Sequence, residues 1–147
     1  DDGVFETGGF KGRTRELERR ELLARIEERL GLPERAVVRE YGMTELTGHF
    51  YSETLSGGDP DLFTVPPFMA VRLLDPETLE ETAAGEPGLV TLFDLANVGS
   101  VVHVITQDLG VRRPGDGSGF RLLGRADDAQ LRGCSLTAEE LSAPHVL

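Results

Sequence analysis

Between two short runs of strand-forming residues, Val4-Phe5 and Val37-Val38, lies a stretch whose apolar residues repeat at helical spacing, and no other feature restricts the fold as tightly. From about Thr14 to Leu30 the residues Leu22, Leu23, Ile26 and Leu30 fall on one stripe, with Arg and Glu around the rest. Leu30-Gly31-Leu32-Pro33 supplies the stop, a glycine at the cap and a proline just beyond it. A helix so placed is a crossover that returns the chain for a parallel strand at Val37. Pairs such as Glu16 and Arg20 make its outer side a solvated charged face. Downstream the pattern changes to strands divided by turns: Met69 to Leu74, Asp75-Pro76-Glu77-Thr78, Gly88 to Phe93, then Ser100 to Thr106. The expected fold class is α/β, a parallel strand-helix-strand unit followed by a mainly antiparallel β portion.

The second strand of that unit leads into the most chemically suggestive stretch, Val37 to Leu46 (VVREYGMTEL). Apolar residues give way to Tyr41 and Gly42, then to a hydroxyl and a carboxylate side by side, Thr44 and Glu45. Open α/β sheets place ligands at the carboxyl ends of their strands. Gly42 lets another group approach the main chain, and Thr44 with Glu45 offers a hydroxyl and a hard oxygen donor suited to Mg²⁺. The set suits a magnesium nucleotide. By spacing alone it reads more readily as a turn after a buried strand followed by a solvated glutamate.

Composition excludes several alternatives. The chain has 147 residues, 39% of them apolar, which is enough for a real core without a disulfide or metal staple. A formal charge of -11 argues against nucleic acid or an anionic membrane surface as the main partner. The single cysteine excludes an internal disulfide framework, and the absence of a signal peptide or a spanning apolar run makes a cytoplasmic location the default, with no membrane insertion.

The remaining stretches each carry two readings. Glu6-Thr7-Gly8-Gly9 ends a strand in a tight loop open to a ligand or serving as a plain turn. His49, Phe50 and Tyr51 read as local packing, the alternative being an apolar lining beside the proposed site. Asp108 follows the run SVVHVIT and by itself is an ordinary turn former. The glycine-rich segment within Arg112 to Phe120 lacks a following Lys-Ser/Thr pair and reads as a hairpin tip. Arg125, in LLGRADD, offers a planar fork of donors suited to ribose or phosphate oxygens. Cys134, in RGCSL, is either a small buried hydrophobe or a nucleophile whose thiolate Arg132 favours.

Taken in order, ETGG at Glu6 to Gly9, YGMTE at Tyr41 to Glu45, TQDL at Thr106 to Leu109 and GRADD at Gly124 to Asp128 resemble the motifs of the adenylate-forming superfamily. That superfamily includes acyl-CoA synthetases, peptide-synthetase adenylation domains and luciferases. The wording ETGGFKGR, REYGMTEL with Phe50-Tyr51, and RGCSL most resembles the acyl-protein synthetases (LuxE-like), which activate fatty acids for the bioluminescence reductase. The likeness runs over nearly all of the chain.

The resemblance implies ATP and Mg²⁺ as cofactors, a fatty acid or other carboxylic acid as substrate, and an acyl-protein reductase as partner. It assigns Glu45 to Mg²⁺ and Thr44 to the α-phosphate. Gly8, Gly9, Tyr41, Gly42 and Met43 fall to the adenylate, Tyr41 packing on the adenine. Asp108 and Arg125 go to the ribose, Asp127 to an interdomain hinge, and Cys134 to acyl transfer. Gln107 stands where the family pattern has glycine, and Gln130-Leu131-Arg132 replaces its lysine.

The superfamily's outer-phosphate loop and terminal-domain lysine are both missing from these residues, so the chain is expected to be the carboxyl-terminal part of a longer enzyme. In that account residues 1–126 belong to the large adenylate-forming domain and residues 127–147 form the hinge and a short terminal segment. Two alternatives stand beside it, a phenylacetate-type CoA ligase releasing its thioester onto CoA, and a non-catalytic interaction module derived from the same fold.

Overall fold

The computed structural model describes residues 2–7, 17–115 and 119–126. Strand β1 (Val4–Thr7) is followed by helix α1 (Arg19–Leu30), a single helical turn at Glu34–Ala36, and β2 (Val37–Tyr41). β1 and β2 pair in parallel, Val4 opposite Val37 through Thr7 opposite Glu40, so α1 is the crossover its spacing implied. Gly31 takes the left-handed conformation at φ 68°, and its N–H closes the helix on the Glu27 carbonyl at 2.9 Å.

The beginning of α1 differs from the expected Thr14. Glu18 is extended, and its carbonyl accepts the N–H of Leu22, so the helix starts only where the apolar stripe is about to begin. The stripe itself is poorly covered. Leu22, Leu23 and Ile26 are half-buried, Leu30 is exposed, and no residue of α1 is fully buried. Its first turn is held by charge, with the Arg19 guanidinium 3.4 Å from Glu6 and 3.2 Å from Glu34.

A short β3 (Phe50–Tyr51) runs antiparallel to β2 and completes a sheet of order β1-β2-β3. The second sheet comprises β4 (Phe63–Thr64), β5 (Met69–Leu74), β6 (Pro87–Asp94), β7 (His103–Arg112) and β8 (Gly119–Arg125). Its order is β4-β8-β7-β6-β5, and every neighbouring pair is antiparallel. In β6 the run Gly88 to Leu92 is buried without alternation, the pattern of a strand covered on both faces.

Strand β7 corrects one expectation. It runs from His103 to Arg112 rather than from Ser100 to Thr106, so Asp108 lies inside it, pairing in register with Arg125 of β8. A bulge between Leu109 and Gly110 absorbs the irregularity.

An aromatic cluster joins the two sheets. The Phe120 ring lies 5.3 Å from Phe50 and 5.6 Å from Phe63, all three rings fully buried, and Leu73, Val90 and Leu92 complete the core. No helix among the described residues is long and apolar enough to cross a membrane.

Candidate nucleotide site

Tyr41 ends β2 with its ring against that cluster, 6.0 Å from each of Phe50, Phe63 and Phe120. Its hydroxyl donates a hydrogen bond of 2.9 Å to Oδ2 of Asp108, sixty-seven positions away in sequence. Arg125, opposite Asp108 on β8, brings Nε within 3.6 Å of Oδ1. Three of the residues singled out from sequence thus meet, delivered by three strands from two sheets.

The electrostatics follow from burial. Desolvation pushes the Tyr41 phenol well above its ordinary range, and the negative charge of Asp108 and the hydrogen bond to it push the same way, against smaller opposing effects of Thr106 and Arg125. The phenol therefore stays protonated and remains a donor. Arg125 is largely exposed, so its ion pair with Asp108 is weak and its guanidinium keeps donors available.

Just beyond β2 the chain turns. Thr44 and Glu45 are both exposed, and the Thr44 hydroxyl donates to Oε2 of Glu45 at 3.2 Å. Met43 is half-buried against the core, and the Leu46 N–H returns to the Met43 carbonyl at 3.1 Å. At Gly42 a Cβ would stand 2.2 Å from Cδ2 of the exposed His49, so a larger residue there would displace that ring. Gly8, Gly9, Asp127 and Cys134 lie outside the described residues.

The turn is gripped from below by two residues that sequence reasoning passed over. Asp94, the fully buried last residue of β6, accepts hydrogen bonds from the Thr47 N–H at 2.7 Å, the Thr47 hydroxyl at 2.8 Å and the Ala96 N–H at 3.1 Å. Asn97 donates from Nδ2 to the Glu45 carbonyl at 2.8 Å and to the Val101 carbonyl at 3.1 Å. The available signal was an aspartate closing an apolar run, GLVTLFD, since a carboxylate in that position needs dedicated donors.

Among the described residues no group of three His, Cys, Asp or Glu side chains could cage a metal ion. Glu45 nevertheless fits Mg²⁺, which keeps its waters and is commonly held by one or two carboxylates together with substrate phosphates. The shallow depression on α1 formed by Arg25, Glu28 and Arg29 contains none of these residues.

Residues 2–142 match the family model for acyl-protein synthetase, LuxE. The chain belongs to the LuxE acyl-protein synthetase family. Within it, the chain is 32% identical over 79 residues to a long-chain-fatty-acid–luciferin-component ligase of Aliivibrio fischeri, covering 50% of this chain and 21% of the relative. It is 31% identical over 80 residues to the protein of the same name from Vibrio harveyi, covering 52% of this chain and 21% of the relative. The stretch of this LuxE-family chain that matches thus covers about a fifth of the length of those relatives.

Solved structures extend the likeness of fold. Apo MatB from Rhodopseudomonas palustris superposes with a TM-score of 0.58 at 20% identity, over 86% of this chain and 26% of that one. A 2-hydroxyisobutyryl-CoA ligase in an open conformation, in complex with 2-HIB-AMP and CoA, gives 0.64 at 17% identity, over 86% of this chain and 28% of that one. The chain shares its fold with part of those proteins, and the parallel unit with its antiparallel continuation is the arrangement that the sequence pattern led us to expect.

Proposed function

We propose that this chain supplies the ribose and α-phosphate side of an ATP-dependent site that activates a fatty acid as its acyl-adenylate and passes the acyl group to a protein cysteine. The observation that carries this reading is the meeting of Tyr41, Asp108 and Arg125 immediately beside the exposed Thr44-Glu45 pair. In adenylation a carboxylate oxygen attacks the α-phosphorus, a P–O bond forms, and the bond to the leaving pyrophosphate breaks. Charge gathers on phosphate oxygens in the transition state, so donors and cations held in place are what the protein must provide.

Each residue then has a task. Asp108, fixed by the Tyr41 hydroxyl, accepts hydrogen bonds from the ribose hydroxyls. Arg125 donates to ribose or phosphate oxygens, and the Thr44 hydroxyl turns from Glu45 to the α-phosphate. The Tyr41 ring packs on the adenine, the main chain at Gly42 and Met43 borders it, and Gly8 and Gly9 contact the adenylate. Mg²⁺ held by Glu45 would, when bound, offset the charge of the phosphate oxygens. The Cys134 thiolate then attacks the acyl carbonyl carbon and AMP leaves, giving a thioester for an acyl-protein reductase to consume. Asp127 would serve as the hinge about which the terminal segment moves between the two steps.

Acyl-dependent ATP–pyrophosphate exchange in the full-length protein tests the reading. Glu45→Ala is expected to abolish exchange with the fold retained, and wild-type exchange in that variant removes the magnesium assignment. Labelled fatty acid with ATP is expected to leave a hydroxylamine-sensitive protein adduct that is lost in Cys134→Ser. An adduct that persists moves the carrier elsewhere, and thioester found only on added CoA favours the CoA-ligase alternative.

A further inference from the structure

Asp94 is buried at the end of a strand whose preceding residues Leu89 to Leu92 are buried as well. Burial by itself favours the neutral acid, but the Thr47 N–H and hydroxyl and the N–H groups of Ala96 and Gly48 outweigh it and hold the carboxyl below its usual range. It is therefore an ionised acceptor at neutral pH. Three of those four donors belong to Thr47 and Gly48, just past Leu46 in the same turn, while Asn97 takes the carbonyl of Glu45 itself.

Asp94 at the end of β6 and Asn97 just beyond it thus hold the main chain at Glu45 and in the residues that follow it. The segment between β2 and β3 has no strand partner of its own, and its internal main-chain hydrogen bond runs from the Leu46 N–H to the Met43 carbonyl. The side chains of Asp94 and Asn97 stand in for the missing ladder. Charge-assisted bonds of 2.7 and 2.8 Å from a fully desolvated carboxylate are the strong kind.

We propose that Asp94 and Asn97 are positioning residues for acyl-adenylate formation, fixing the main chain from Glu45 to Gly48 so that the Glu45 carboxylate and Thr44 hydroxyl are presented in one place to a magnesium nucleotide. The proposal rests on the function proposed above, and it adds residues that touch neither nucleotide nor metal. A site loosened by about an ångström loses rate steeply, and outer partners of metal-binding groups are worth roughly 10–100-fold in metal affinity or activity.

The test uses the full-length protein and two readouts. In the absence of ligand, Asp94→Asn is expected to speed amide hydrogen exchange from Thr44 to Gly48 while the amides of α1 are unchanged. In acyl-dependent ATP–pyrophosphate exchange, the same variant is expected to raise the Mg²⁺ concentration for half-maximal rate by roughly tenfold, and Asn97→Ala to raise it by a smaller factor. A purely structural role lowers the amount of active protein without moving that midpoint. Should Asp94→Asn fail to fold, Asn97→Ala and Thr47→Val carry the same comparison.

Wild-type midpoints in the folded variants, beside a lost response in Glu45→Ala, overturn the positioning role alone. Unchanged Mg²⁺ dependence in Glu45→Ala overturns the underlying site assignment and this role with it, even if the turn's amides exchange faster.

Discussion

The two sheets are stabilised by different means. The five-stranded sheet, with Phe50 from the smaller one, encloses side chains such as Leu73, Val90, Leu92 and Phe120 almost completely. The strand-helix-strand unit buries Val37 and Val38 on β2, but its helix buries nothing fully, and Phe5 on β1 is 62% exposed. One region holds itself together by exclusion of water; the other is placed by strand register and by ion pairs at its rim. The candidate site straddles the two, because Tyr41 comes from the smaller sheet and Asp108 and Arg125 from the larger. Its geometry therefore depends on the contact between sheets more than on either alone.

The strongest way to break that contrast is to empty the contact. Phe120→Ala removes the ring that packs on Phe50, Phe63 and Tyr41, and a loss of about 3–5 kcal/mol in equilibrium denaturation is expected for a fully buried phenylalanine. Ile26→Ala on α1 is expected to cost under about 1 kcal/mol, since that side chain is only half-buried. Equal losses in the two variants would erase the distinction between the regions.

What could be read beforehand divides along the same line. The parallel unit was legible because its signals are local: a stripe at helical spacing, Gly31, Pro33, and a β-branched run at Val37. Strands β5 and β6 were legible for the same reason, bounded by Asp75-Pro76 and Pro87-Gly88. The strand expected over Ser100 to Thr106 stops short because an aspartate favours turns locally, whereas here Tyr41, distant in sequence, and Arg125 on the neighbouring strand satisfy Asp108 within a ladder. The meeting of Tyr41, Asp108 and Arg125 was anticipated only through the order of motifs, since no periodicity reports which strands will adjoin. Asp94 and Asn97 escaped notice because their partners, Thr47 and Glu45, carry no signal of being held.

A sharper probe of the inter-sheet contact is the polar link at the site itself, the Tyr41 hydroxyl on Asp108. Tyr41→Phe is expected to cost about 1.5 kcal/mol, the lower end of the range for a bond to a charged group because Asp108 is partly exposed. The pH dependence gives the signature. The folded protein raises the phenol above its unfolded value near 10, so the native state retains a proton that the unfolded chain gives up. This contribution is fully present below about pH 10 and is lost as pH rises further. Denaturation midpoints of the wild type should fall more steeply in that alkaline range than those of Tyr41→Phe, and parallel curves would show that the hydroxyl contributes nothing to holding the sheets together.

The smallest expected effect lies on the exposed helix. Arg25 and Glu21 form an i,i+4 pair at 2.7 Å, with side chains 53% and 42% exposed. The glutamate precedes the arginine, the orientation that also suits the helix dipole. Water screens both charges, and fixing two long side chains costs entropy, so a double-mutant cycle with Glu21→Ala and Arg25→Ala should give a coupling of about 0.3–0.5 kcal/mol. That coupling should shrink further in about 1 M salt, where screening acts within a few ångströms. A coupling well above 1 kcal/mol, insensitive to salt, would mean that the outer face of α1 is desolvated in solution, and the helix would then belong with the buried region from which the present structure separates it.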